Sequence, residues 1–260
     1  MDRLRSGLEI QGKVIKALML RELVTRFGRE NIGFLWMMAE PMLFAGLVGL
    51  LWTFIKGPEE HGIGIVAFVV SGYIPLTFLR NTFSRCVSVF IANGSLMYHR
   101  QVKLIDLVFV RVLIEFIGTT MAWLFMGTVL SAVGLFPVPH DIGVALLGWG
   151  LYFLFVLSVA FIIAPLSEMS EILEKLLPVT VYLAIPFSGT FNLASWLTPA
   201  ARDVALWSPM VNAMEMIRYG VFGNAVRPYY SVAVPLTISA ICLIVGLALC
   251  SHVRKTMVVE

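Results

Sequence analysis

Gly7-Leu-Glu-Ile-Gln-Gly12-Lys13 has the spacing of a phosphate-binding loop, in which backbone amides cradle a phosphate and the lysine reaches its outer oxygens. The chemistry fails on two counts. Val14 stands where magnesium coordination needs Ser or Thr, and only six residues precede the run, so no strand feeds the loop. The histidines, His61, His99, His140 and His252, never fall at i,i+4, and no neighbourhood offers a full set of zinc ligands. Cys86, Cys242 and Cys250 are too few and too far apart for a disulfide framework. No Ser/His/Asp set shares a compartment, and no paired carboxylates lie on one face within an apolar run. Catalytic, cofactor and metal residues are therefore not expected in this chain.

What remains is charge in apolar surroundings. Glu40 sits beside Pro41 inside the first apolar run, where a lone carboxylate costs a few kcal/mol unless it is paired or faces water. It either faces a pore or gate, or hydrogen-bonds a neighbouring helix. Arg111 and Glu115 are one turn apart at the start of the third run. They form either a local i,i+4 pair at the membrane boundary or a contact with the N-terminal helix or an anionic substrate. Glu168, Glu171 and Glu174 recur at i,i+3 and predict a solvated helix face. Glu215 and Arg218, also at i,i+3, predict a pair or a clamp on the segment around them, with a direct substrate role for Arg218 as the alternative.

The elements that carry these residues must be membrane helices. Of 260 residues, 59% are hydrophobic and 13% charged. A soluble domain averages about 25% charged residues, and a core of this size cannot hide so much apolar surface from water. The mean hydropathy of +0.89 agrees. Disorder requires the opposite composition. The net charge of +3 leaves no polybasic tract for nucleic acid. Apolar runs at 32–55, 63–79, 107–136, 142–166, 176–191 and 231–251 predict six transmembrane helices at roughly 20 residues per crossing, the fifth being short and broken by Pro178 and Pro186.

Residues 1–31 carry seven basic side chains, with apolar residues on one helical face at Leu8, Ile15, Leu18, Met19, Leu23 and Phe27. They predict an amphipathic helix lying on the membrane surface rather than a signal peptide. With six spans and the N-terminus inside, fifteen Lys and Arg fall on the inner side and four on the outer. That bias predicts cytoplasmic N- and C-termini, with 252–260 a cytoplasmic tail. Residues 192–230 are too apolar for a solvated loop and too proline-broken to span, so they predict short re-entrant helices on the outer side. The fold class is an all-α integral membrane protein, one transmembrane domain over 1–260.

Arg26-Phe27-Gly28, then Gly33-Phe34-Leu35-Trp36 and Glu40-Pro41, resembles the start of span one in polysaccharide-export ABC transporter permeases. Ser208-Pro209-Met210 with Glu215, Arg218, Tyr219 and Gly220 is similar to their outer re-entrant segment, where Asn is usual in place of Ser208. The order of parts agrees along the whole chain, and the resemblance is greatest to the KpsM-like permeases of Gram-negative capsule export.

The resemblance implies a homodimer working with two copies of a separate ATPase, which would use the ATP and Mg. A lipid-linked capsular polysaccharide would pass through a conduit at the dimer interface, from cytoplasm to periplasm across the inner membrane. It further implies a periplasmic co-polymerase, an outer-membrane export protein and contact with membrane lipid. Aromatics on spans one and five, Phe34, Trp36, Tyr182 and Phe187, are then conduit candidates together with Glu40, with an interface belt or lipid contact as the alternative for the rings. A permease without its own motor needs a stiff cytoplasmic element that touches the ATPase. Residues 93–105 fit that need. Asn93 and Gly94 break the chain, Ser95 caps a new helix, Leu96, Met97 and Tyr98 form an apolar knob, and His99, Arg100 and Lys103 a basic rim. Other readings stay open: an exporter of a smaller amphiphile, an ion-coupled transporter using Glu40, Arg111 and Glu115, and a membrane scaffold.

Overall fold

The structure is a computed structural model that describes residues 2–27, 32–97 and 102–257. Helix α1 spans Asp2–Phe27, built from strong helix formers with no proline. The phosphate-loop spacing therefore lies inside a helix. Leu18 is buried in the main core, with Val14, Ile15, Met19 and Leu23 packed beside it. Helix α2, Ile32–Lys56, follows and contains Pro41. It is apolar all round, and its outward Leu43, Leu47, Leu50 and Phe54 stay exposed. A stripe of this kind has no place in water and suits a lipid or protein neighbour.

Lys56 closes α2, and a two-residue hairpin connects onward, β1 Glu59–Glu60 pairing antiparallel with β2 Ile63–Gly64. Its turn puts His61 at φ 54° and Gly62 at φ 78°, the positive values such tight hairpins require. The all-helical reading missed this hairpin. Helix α3, Ile65–Cys86, is largely buried and runs about two turns beyond the expected end at Leu79. It thereby carries Arg80 and Arg85. Two single-turn helices follow, α4 Val89–Ala92 and α5 Gly94–Met97. Ser95 lies within α5 rather than capping it; the Asn93 carbonyl accepts from Leu96 N at 2.9 Å.

Helix α6, Leu104–Ala132, ends on a left-handed Gly134, whose N–H reaches the Ser131 carbonyl at 3.1 Å. Helix α7, Ile142–Met169, starts on Asp141, whose carboxylate accepts from Val144 N. Helix α8, Glu171–Ala184, follows after Ser170 and continues as a 3-10 turn, Ile185–Ser188. The break at Ser170 divides the Glu168, Glu171 and Glu174 set between two helices. Glu174 accepts from the Ser88 hydroxyl, so the three do not form one solvated face. Helices α9, Pro199–Ala205, and α10, Pro209–Phe222, precede α11, Ala233–Met257.

Helices α2, α3, α7 and α11 are long and apolar enough to cross a membrane. Helix α6 is long enough but carries Asp106, Arg111 and Glu115, and α8 has only 14 residues, so composition and length do not by themselves mark either as a span. Helix α7 is the central post. Gly148 meets α10 so closely that a Cβ would lie 2.8 Å from that of Met216, and Gly246 of α11 stands equally close to Phe161.

The connections sort to two ends. At one end Ile63, Phe68, Leu193 and Val226 share a cluster, and Asp141 N donates to Gly220 O at 2.8 Å. At the other, Gln11 of α1 meets Asp106 of α6, and Ser88 N donates to Ser167 Oγ at 3.1 Å.

Candidate functional site

Polar side chains concentrate at both ends of the bundle. At the α1 end they tie four elements together. Arg21 of α1 donates to Asn93 Oδ1, between α4 and α5, at 2.8 Å. Glu22, one residue on, lies 3.4 Å from Arg111 Nε of α6. Arg111 also donates to the backbone carbonyl of Arg85, at the end of α3. Arg85 Nε in turn reaches buried Glu115, one turn along α6, at 3.0 Å. Arg85 thus stands between Arg111 and Glu115, and Arg111 faces the N-terminal helix. Asp106 accepts from Lys103 N at 3.0 Å, a capping contact that fixes the start of α6.

This junction bears on residues 93–105. Asn93 is buried, holds Arg21 through its carbonyl oxygen and donates to Val89 O at 2.9 Å. Leu96 is half-buried against the main core rather than projecting freely. Lys103 occupies the cap of α6. Met97 ends α5, and Tyr98, His99 and Arg100 lie outside the described residues. A hydrogen bond thus joins α4–α5 to α1, and Leu96 packs them on the main core.

Glu40 of α2 lies 3.7 Å from Arg80 of α3, each about one-third exposed. The carboxylate has a cationic neighbour, which lowers the cost of its depth. On the same helix Trp36 is 60% exposed. Tyr182 of α8 and Phe187 of its 3-10 extension are 62% and 66% exposed. Phe34 belongs to α2, and its side chain lies outside what the structure describes. Three of the four candidate aromatics thus present open ring faces.

At the opposite end Glu215 and Arg218 are both buried on α10. Arg218 donates to the carbonyls of Gly189 at 2.6 Å and Asn192 at 3.1 Å, and to that of Thr190. Its guanidinium lies 4.1 Å from the ring centre of Phe68 on α3. Glu215 accepts from Ala194 N at 2.9 Å. Among the described ion pairs none joins these two residues; Glu215 Oε1 and Arg218 Nη1 and Nη2 bond the backbone of 189–194, while Glu215 Oε2 and Arg218 Nε are buried without a hydrogen bond. That segment lacks regular structure, so its carbonyls need such donors.

Two partners escaped the sequence reading. Gly72 of α3 leaves the space Arg218 occupies, since a Cβ there would stand 2.6 Å from Nη2 and 2.7 Å from Thr190 O. Asn212, wholly buried on α10, donates to Leu206 O at 2.6 Å and accepts from Ser231 N at 2.7 Å. Its signal was available: a lone amide in the apolar run Pro209–Ile217 needs a fixed partner.

The sequence profile of the ABC-2 type transporter family matches residues 13–222. The capsule polysaccharide export inner-membrane protein BexB of Haemophilus influenzae is 34% identical over 251 residues, which cover 96% of this chain and 95% of that protein. CtrC, a protein of the same description from Neisseria meningitidis serogroup B, is 35% identical over 249 residues, 96% and 94% of the two chains. The polysialic acid transport protein KpsM of Escherichia coli is 24% identical over 245 residues, 94% and 95%. A match that takes in α2 through α10, with relatives that agree from end to end, decides the assignment: this chain belongs to the ABC-2 type transporter family.

Proposed function

We propose that this chain is the permease subunit of an ATP-driven exporter that moves lipid-linked capsular polysaccharide from the cytoplasm to the periplasm. The observation that carries the reading is the 34–35% identity, over about 95% of both chains, to capsule polysaccharide export inner-membrane proteins. The chain is a transport subunit and not an enzyme; ATP hydrolysis belongs to a separate ATPase subunit.

In this reading six helices cross the inner membrane: α2, α3, α6, α7, α8 with its 3-10 extension, and α11. Their alternation supports it, since connections after α2, α6 and α8 gather at one end and those after α3 and α7 at the other. The α1 end carries most of the Lys and Arg, which supports a cytoplasmic position for it and for both termini. Helix α1 lies at that surface. Segment 192–230 then dips into the outer side without crossing, held by Arg218, Glu215 and Asn212. Two copies of the chain form the conduit, lined by the open aromatic faces of α2 and α8. Residues 93–105 receive the stroke of two ATPase subunits. A periplasmic co-polymerase and an outer-membrane export protein continue the path.

The test is complementation. A capsule-producing strain deleted for its own permease and ATPase receives this chain with its cognate ATPase. Surface polymer is expected to return, and polymer without the chain to accumulate in the cytoplasm. Restored drug or lipid efflux with no surface polymer would sink the reading.

A further inference from the structure

Beneath the junction of α1, α3 and α6 lies a cavity of about 240 Å³, lined by Arg21, Glu22, Thr25, Arg85, Asn93 and Arg111. Three guanidiniums meet there, while the carboxylates in contact with them are Glu22 and, behind Arg85, Glu115. Among the described residues Arg21 and Arg111 face one carboxylate, Glu22, which leaves one positive charge in excess. Arg111 Nε is buried and makes no hydrogen bond, although it faces Glu22 at 3.4 Å. Each guanidinium offers five donors, and those of Arg21 and Arg111 exceed the contacts described above. A cup of arginine donors with a single surplus charge matches an anion of one negative charge, a phosphodiester rather than a doubly charged phosphate monoester.

The rim narrows the choice further. Leu20 and Val24 are exposed, one turn apart, in the stripe of α1 adjoining Arg21 and Thr25, and exposed Ile91 precedes the lining residue Ala92. An apolar rim beside a cationic cup suits a molecule with a phosphate and an acyl chain, not a free ion. We propose that this cavity is a binding site for the headgroup phosphate of an anionic membrane phospholipid, whose acyl chain runs along Leu20, Val24 and Ile91. The occupant bridges α1, α3 and α6 and holds the N-terminal helix against the bundle. The inference rests on the reading that this end lies at the membrane–water boundary.

The test uses the full chain in lipid nanodiscs carrying trace phosphatidylglycerol with a photoreactive acyl chain, beside a matched phosphatidylcholine probe. Leu43 and Leu47 of α2, exposed and apolar, serve as the internal control for bulk lipid contact. The phosphatidylglycerol probe is expected to label the α1 segment around Leu20 and Val24 about tenfold more than the phosphatidylcholine probe, as one charge-assisted contact implies. Both should label α2 equally.

Arg21→Gln, at an exposed position, and Arg111→Gln should each remove most of that excess, and Arg111→Lys should retain part of it. Equal labelling of α1 by both probes, or an excess that survives both glutamine variants while α2 is labelled, would overturn the site. Inorganic phosphate protecting α1 as well as unlabelled phosphatidylglycerol does would overturn the lipid assignment. Absence of labelling on α2 would instead remove the membrane reading beneath it.

Discussion

Arg218 of α10 and Gly72 of α3 occupy one space: a methyl group on Gly72 would stand 2.6 Å from the guanidinium that holds residues 189–192. The absent side chain and the buried cation are two halves of one clamp. Phe68, one turn before Gly72, closes the guanidinium's face at 4.1 Å. The clamp decides where the chain goes after α8, because without it three carbonyls would be left unsatisfied in an apolar setting.

Arg218→Lys keeps the charge but cannot reach three carbonyls from one planar fork. Losing two of these hydrogen bonds, each worth about 1.5–3 kcal/mol when charged, should lower the thermal midpoint of the detergent-solubilised protein and abolish export while membrane insertion persists. An unchanged midpoint with normal surface polymer would show that the clamp is dispensable.

Gly72→Ala should do comparable damage, since the nearest atoms include the Thr190 carbonyl, which is backbone and cannot swing away. Because both substitutions act on one contact, their effects should be far from additive: the double variant should be little worse than either alone. Additive losses in the thermal midpoint would mean that Gly72 matters for another reason.

Accessibility tests the proposed topology. Ala200 and Ala225 are exposed, whereas Val226 is buried beside Leu193 and Ile63, so it is a poor reporter. In a Cys242→Ala background, cysteines at Ala200 and Ala225 should react with an impermeant maleimide from the periplasm. A cysteine at Lys16 on α1 should react only after the inner membrane is opened. Labelling of Ala200 and Lys16 from the same side would contradict six crossings.

These residues also show what the sequence could convey. Apolar runs mark where a helix needs apolar surroundings, so α2 was legible to within a residue, while α7 runs three residues past the expected end and α11 starts two and ends six residues later than expected. The end of α3 was not legible. Arg80 and Arg85 belong to a helix that continues past the apolar boundary, because hydropathy reports the solvent and the backbone only needs its next carbonyl. The hairpin at His61 escaped because a two-residue turn leaves a weak pattern. Glu215 and Arg218 stood out as buried charge, but their partners are backbone atoms some 20 to 30 residues away, which no local spacing encodes. Arg111 and Glu115 were open to a local pair or to a contact with the N-terminal helix or an anionic substrate; Arg111 meets Glu22 of α1 and Glu115 meets Arg85 of α3, partners that local spacing could not choose between.

Force from the ATPase would have to leave α4–α5 through its contacts with the rest of the bundle. Leu96 packs on the core, so Leu96→Ser would report on packing as much as on any ATPase contact. Asn93 separates the two. It is buried, its amide holds Val89 O at 2.9 Å, and its carbonyl oxygen holds Arg21 of α1 at 2.8 Å. Asn93→Asp keeps the acceptor for Arg21, and the added charge strengthens that bond while the donor to Val89 is lost. Asn93→Ala loses both, at roughly 1–3 kcal/mol for the stranded partners. If α4–α5 drives α1 through this contact, Asn93→Ala should leave the ATPase bound and hydrolysing ATP while surface polymer falls severalfold. Asn93→Asp should stay nearer the parent. The ratio of polymer exported to ATP hydrolysed is the quantity to measure. An unchanged ratio in Asn93→Ala would mean that the stroke bypasses the α1 contact and travels through α6 alone.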